Sequence, residues 1–187
     1  MTVTAYTLAR FVDDLRSITA ETSRDGAIVE RVRPQAQRLA QSGAWIEKRH
    51  YECDEAQGFG VYLLHEEPNH DLAVFAVSWL PGRGALPHSH GTWAVVTGVD
   101  GPETNTYWKR LDDGSRPGYA EIEPAGTEII GPGHVLAMLP TAIHSVENRT
   151  SGETLSLHVN GRHLNHTNLT EFDPDRCVVR PVVRKTR

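Results

Sequence analysis

Between residue 7 and about residue 42, apolar side chains recur three or four positions apart: Leu8, Phe11, Val12, Leu15 and Ile18, then Ile28, Val29, Val32, Ala36 and Leu39. That spacing puts them on one face of a helix and predicts two amphipathic helices in succession. Thr22-Ser23-Arg24-Asp25-Gly26 supplies a break and a cap, Gly43 suits the end of the second helix, and Pro34 predicts a kink or interruption within it. Beyond about Trp45 the pattern changes to short β-branched and aromatic runs punctuated by Gly and Pro. Strands are expected near residues 61–64, 72–80, 92–97, 104–111, 119–123, 127–130, 135–139, 145–148, 153–160 and 177–183. Many short strands with regular turns predict a mainly β sandwich or barrel. A length of 187 residues fits one domain, a helical segment over 1–50 followed by a barrel over 51–187.

Within residues 153–160, alternation puts Leu155, Leu157 and Val159 on one face and Ser156, His158 and Asn160 on the other. Such a polar row either faces water, as in many half-solvated antiparallel strands, or lines a lumen beside reactive groups. A second signal is more specific. His88-Ser89-His90 offers two imidazoles on the same side of an extended strand, and His144 follows inside Pro140-Thr141-Ala142-Ile143-His144-Ser145-Val146-Glu147-Asn148. Three imidazoles so placed can meet at one metal ion. The bland alternative is three unrelated members of a set of ten histidines. The turn-rich lead-in from Pro81 to Pro87 and the buried strand expected after the pair favour the metal.

Charge and cysteine usage narrow the function classes. With 24 acidic against 19 basic residues, nucleic acid is excluded as the principal partner, and the basic cluster from Arg180 to Arg187 reads as a solvated end. Cys53 and Cys177 lie far apart and outside any CxxC spacing, which predicts reduced thiols in a cytoplasmic protein. The first ten residues lack a charged-then-apolar secretory pattern, and no apolar run approaches a membrane span, so no membrane partner is expected. His65, His134 and His163 read as structural or surface histidines, and His50, His70 and His166 as loop residues.

Gly82 through Gly98, followed by Gly131-Pro132-Gly133-His134 and the segment from Pro140 to Asn148, resembles the two cupin motifs. More narrowly, Tyr62-Leu63-Leu64-His65, Val77-Ser78-Trp79, Pro87-His88-Ser89-His90-Gly91-Thr92-Trp93 and Ser156-Leu157-His158-Val159 resemble the bacterial cysteine dioxygenase family, which includes the 3-mercaptopropionate dioxygenases. The resemblance spans roughly residues 62–161, and the two amino-terminal helices suit it. It implies a cupin double-stranded β-helix, a jelly-roll barrel holding ferrous iron, Fe(II), on His88, His90 and His144 and adding O2 to a small thiol to give a sulfinate. The stretch from Gly91 to Val95 lacks the glutamate many cupins carry there, which suits the all-histidine version.

The resemblance also implies a catalytic row, in which Ser156 and His158 match the first two members of a Ser-His-Tyr relay. Asn160 stands at the tyrosine position, and an amide donates a hydrogen bond but no phenolic proton. Val95 stands where the mammalian type has its cross-linking cysteine, and Val61 where members carry the Arg or Gln that grips a carboxylate. Holding an anionic substrate group then falls to Arg162, Tyr107, His163 or Arg83, with Trp79 and Trp93 as core or pocket wall. Three readings stay open: a thiol dioxygenase with specificity altered from cysteine, another three-histidine cupin oxygenase that cleaves carbon–carbon bonds, and a non-catalytic cupin that binds a metal or small ligand.

Overall fold

The computed structural model describes residues 6–187, so the start of the chain, read above for a leader, lies partly outside the described residues. Helix α1 (Leu8–Glu21) begins where the Thr7 hydroxyl accepts the Arg10 N–H at 3.2 Å, a side-chain cap on an otherwise unpaired donor. Helix α2 (Asp25–Ser42) ends at Gly43, whose left-handed φ of 63° closes the last turn. Of the kink or interruption expected at Pro34, the interruption does not occur, and α2 runs through it. Val32, Ala36 and Leu39 around it are fully buried, and that packing outweighs the ~3 kcal/mol cost of a proline inside a helix.

Eleven strands follow among the described residues: β1 (Phe59–Glu66), β2 (Asp71–Trp79), β3 (Gly84–Ser89), β4 (Ala94–Asp100), β5 (Glu103–Arg110), β6 (Ile122–Ile130), β7 (Val135–Met138), β8 (Ile143–Glu147), β9 (Thr154–Arg162), β10 (Thr170–Asp173) and β11 (Val178–Pro181). They form two antiparallel sheets, in the orders β1-β2-β9-β4-β7 and β11-β10-β3-β8-β5-β6. The alternation of strands between the two sheets gives the expected double-stranded β-helix. Helices α1 and α2 cover the outer face of the five-stranded sheet, where Phe11, Leu15, Val32 and Leu39 pack with Val74, Val95, Leu157 and Val159. With helices on one face and the barrel interior on the other, β2 is buried continuously from Leu72 to Trp79.

Strand β9 resolves the question its alternation raised. Leu155, Leu157 and Val159 pack towards the helices, while Ser156 and Asn160 are buried and His158 and Asn160 line the interior. The polar row faces the lumen. Two strands lie outside the ten ranges read from the sequence, although an extended stretch was expected at His88. β3 carries Pro87, which has no N–H for a ladder, and its pairing with β8 shifts register between Ala85 and His88, the irregularity that accommodates the proline. β10 is only four residues long and pairs with β3 and β11. Conversely, the two short strands expected over 119–130 are one strand, β6, with a bulge where Tyr107 and Trp108 of β5 meet Gly126 and Pro124. Among the described residues, no helix is long and apolar enough to cross a membrane.

Candidate metal centre

β3 and β8 are hydrogen-bonded neighbours, and their register sets His88 directly against His144. His90 follows the end of β3 and reaches the same point, so the three imidazoles are brought together and buried. Their ring centres lie 4.5 Å apart for His88 and His144, 5.1 Å for His88 and His90, and 5.3 Å for His90 and His144. Nε2 of His90 and Nε2 of His144 approach to 3.1 Å. Two nitrogens bound at ~2.1 Å to one ion at adjacent positions lie about 3 Å apart, so this spacing fits a shared metal.

Two of the three outer nitrogens are fixed as a metal site needs, while His90 Nδ1 is buried without a hydrogen-bond partner. His88 donates Nδ1–H to the Leu86 carbonyl at 2.9 Å, and His144 donates Nδ1–H to Asn105 Oδ1 at 3.0 Å. Both bonds leave Nε2 bare and aimed inward, the arrangement by which an outer partner orients a ligating imidazole. Burial keeps all three rings uncharged: His88 is pushed down to about 4, His90 to about 3, and His144 well below its ordinary value. A neutral all-nitrogen donor set suits iron, zinc, copper or nickel.

The histidines open onto a cavity of about 60 Å³ between the sheets, walled by Phe59, Val61, Phe75, Val77, Trp79 and Val96. Its polar lining is sparse. His158, pushed down to about 3 by burial, lies 3.0 Å from the Ser156 hydroxyl through Nε2. Asn160 stands beside it on β9, and Glu103, Asn105 and Arg184 complete the polar set. Val61 forms wall, as its apolar side chain dictates. Val95, however, packs towards the helices, and its neighbour Val96 is the residue of β4 that lines the cavity.

The expected substrate-binding residues lie elsewhere. Arg162 pairs with Asp71 at 3.5 Å on the surface, and Tyr107 donates to Glu128 Oε2 at 2.7 Å in an exposed pair. Trp93 is buried in the helix-side core, and Arg83 donates to the Ala56 carbonyl at 3.2 Å. His163 packs edge-on against Phe75 outside the cavity lining. Arg184, read from the sequence as part of a solvated tail, is instead the one arginine or lysine on the cavity wall among the described residues. Asn165 clamps its backbone, with Arg184 N donating to Asn165 Oδ1 at 2.8 Å and Asn165 Nδ2 donating back to Arg184 O at 2.9 Å. Its guanidinium donates to the buried Glu171 at 3.1 Å.

No family model and no curated protein matches the chain. Among solved structures, it is similar to an uncharacterized conserved protein with a double-stranded β-helix domain from Klebsiella pneumoniae, at 12% identity and a TM-score of 0.48 over 68% of this chain and 96% of that one. A cupin superfamily protein from Desulfitobacterium hafniense is similar at 15% identity and a TM-score of 0.43, over 66% of this chain and 87% of that one. A mutant of Bacillus subtilis oxalate decarboxylase is similar at 22% identity and a TM-score of 0.47, over 64% of this chain and 29% of that one.

Proposed function

We propose that this chain is an iron(II)-dependent thiol dioxygenase that converts a small anionic thiol to its sulfinate. The observation that carries the reading is the meeting of three neutral imidazoles with the Ser156–His158 pair at one small, largely apolar cavity. In the reaction R–S⁻ + O2 → R–SO2⁻, two S–O bonds form as the O–O bond breaks. Sulfur gives up four electrons, and no further reductant is required. Iron held by His88, His90 and His144 would supply the electron exchange that O2 needs and favour the thiolate form of the substrate.

The remaining work falls to the chain's own side chains. The apolar wall excludes water and so strengthens every polar contact inside. Arg184 offers a planar guanidinium to a carboxylate or similar anionic group, in place of the grip that Val61 does not supply. His158 and Asn160 offer hydrogen bonds to the reacting end. The cavity is small, about 60 Å³, which favours a short substrate.

A second reading, a three-histidine oxygenase that cleaves carbon–carbon bonds, is favoured by Asn160, which puts an amide on the cavity wall. One panel separates the readings. Protein loaded anaerobically with Fe(II) is expected to consume O2 in step with one member of a thiol series, releasing the sulfinate. Uptake with a diketone and no thiol selects the second reading, and tight metal binding without uptake refutes both. With the active thiol, Arg184→Leu is expected to raise KM about tenfold or more, since a lost charge-assisted hydrogen bond costs ~1.5–3 kcal/mol.

A further inference from the structure

Outside the cavity lining, the fold brings a second set of metal-ligating side chains together. They are Glu66 at the end of β1, His70 in the β1–β2 hairpin, and His166 in the short 3₁₀ turn Leu164–His166 that follows β9. One ligand atom from each lies within 4.8 Å of the other two. His70 Nδ1 donates to Glu66 Oε1 at 2.6 Å. The rings of His70 and His166 stack face to face, with 3.5 Å between centres and 7° between planes.

Backbone contacts hold the two segments together. The His163 N–H donates to the His70 carbonyl at 2.7 Å, which fastens the hairpin to the residue after β9, and the His166 N–H donates to the His163 carbonyl at 2.8 Å. Three side chains from distant parts of the chain are therefore gathered before any ligand arrives, so little ordering is left for a ligand to impose. His70 itself has a left-handed φ of 66°, uncommon for any residue but glycine. Glycine would make that turn without strain, and histidine stands there with its ring against Glu66 and His166.

The geometry points to a second divalent-cation site, of zinc type, at Glu66, His70 and His166. Two imidazoles and one carboxylate make a mixed nitrogen and oxygen donor set that suits zinc. Ligand atoms bound at ~2.1 Å to a tetrahedral ion lie about 3.4 Å apart, close to the separation of the stacked rings. The ion takes the place of the hydrogen between Glu66 Oε1 and His70 Nδ1, and the ring's hydrogen moves to Nε2. The exposed His166 ring tilts out of the stack to aim its lone pair at the same point. A fourth position is left to water, because His166 borders an open polar cleft with Asn69, Asp71 and Arg162. The site is independent of the proposed reaction, but it touches the cavity through the chain. His166 shares its turn with Leu164, on the cavity wall, and with Asn165, which clamps Arg184. An ion here ties the β1–β2 hairpin to the segment that holds the cavity's arginine.

Counting zinc tests the assignment. Full-length protein is dialysed to equilibrium at micromolar free zinc and neutral pH, and bound metal is measured per folded chain, with folding checked by circular dichroism. The wild type is expected to hold two ions, one at each site. His166→Gln, a change at an exposed position, is expected to hold one fewer, and so is His144→Ala. A count unchanged by His166→Gln overturns this inference, whereas a count unchanged by His144→Ala overturns the three-histidine site, so the two failures are separate. Glu66→Gln keeps both imidazoles and is expected to weaken the second site about tenfold or more; unchanged affinity would also overturn the assignment. Nitrogen NMR on protein labelled at histidine supplies a direct readout. The ring nitrogens of His70 and His166, assigned from their loss in His70→Gln and His166→Gln, are expected to shift together as zinc is added. Zinc that moves neither ring sinks the proposal.

Discussion

Asn105 carries no charge and stands outside the metal's own ligand set, yet it decides how His144 is held. Its Oδ1 takes the Nδ1–H of His144 at 3.0 Å in a fully buried contact. Asn105→Ala is expected to weaken metal binding about 10- to 100-fold, the usual cost of losing an outer partner of a ligating histidine. Competition against a chelator of known affinity measures this; unchanged affinity would mean that packing alone orients the ring. The three histidines were legible because His88 and His90 stand two residues apart beside a turn-rich lead-in, a local pattern. Asn105, Glu103 and Arg184 were not, because their importance arises only from pairing and chain path. Asn105 reaches His144 because β5 lies against β8, a register that no run of residues announces. The offset between Val95 and Val96 is the same lesson in miniature, since which of two adjacent valines faces inward depends on the register of β4 against β9.

Among the elements, the helices and β9 declared themselves through period, 3.6 in one case and two in the other. β3 did not, although it carries His88. Gly84 and Pro87 are residues that normally end strands, and only the register shift against β8 lets them lie inside one. Pro34 misled in the opposite sense, because burial of α2 against the sheet overrides a local preference. The helices stabilise the outer face of the five-stranded sheet and stand apart from the ligands. Phe11→Ala, at a fully buried position, is expected to cost about 3–5 kcal/mol in denaturant unfolding while leaving one metal per chain. A loss of metal stoichiometry in the folded variant would show that the helical layer also shapes the site.

At the scale of the molecule, the end of the chain ties the two sheets together. Val182 N–H donates to the Leu169 carbonyl at 3.1 Å, beside the six-stranded sheet. Arg187 then pairs with β1 of the other sheet, donating to Val61 O at 2.8 Å and accepting from Leu63 N at 3.0 Å. Arg184 lies between these attachments, which is how a residue so late in the sequence comes to face the cavity. Its partner Glu171 is shared, since Arg180, largely exposed on β11, also donates to that carboxylate at 2.8 Å. Two cations therefore divide one anion, and Arg184 is left with charge for an incoming ligand to neutralise. Arg180 never meets that ligand, but removing it would give Glu171 wholly to Arg184 and set the substrate against a stronger competitor. Arg180→Gln is expected to raise KM with little change in kcat, an effect that shrinks as salt screens the exposed pair. An unmoved KM at low salt would show that the sharing has no energetic weight. If it holds, affinity at the buried centre is tuned by an arginine on the outside of the protein.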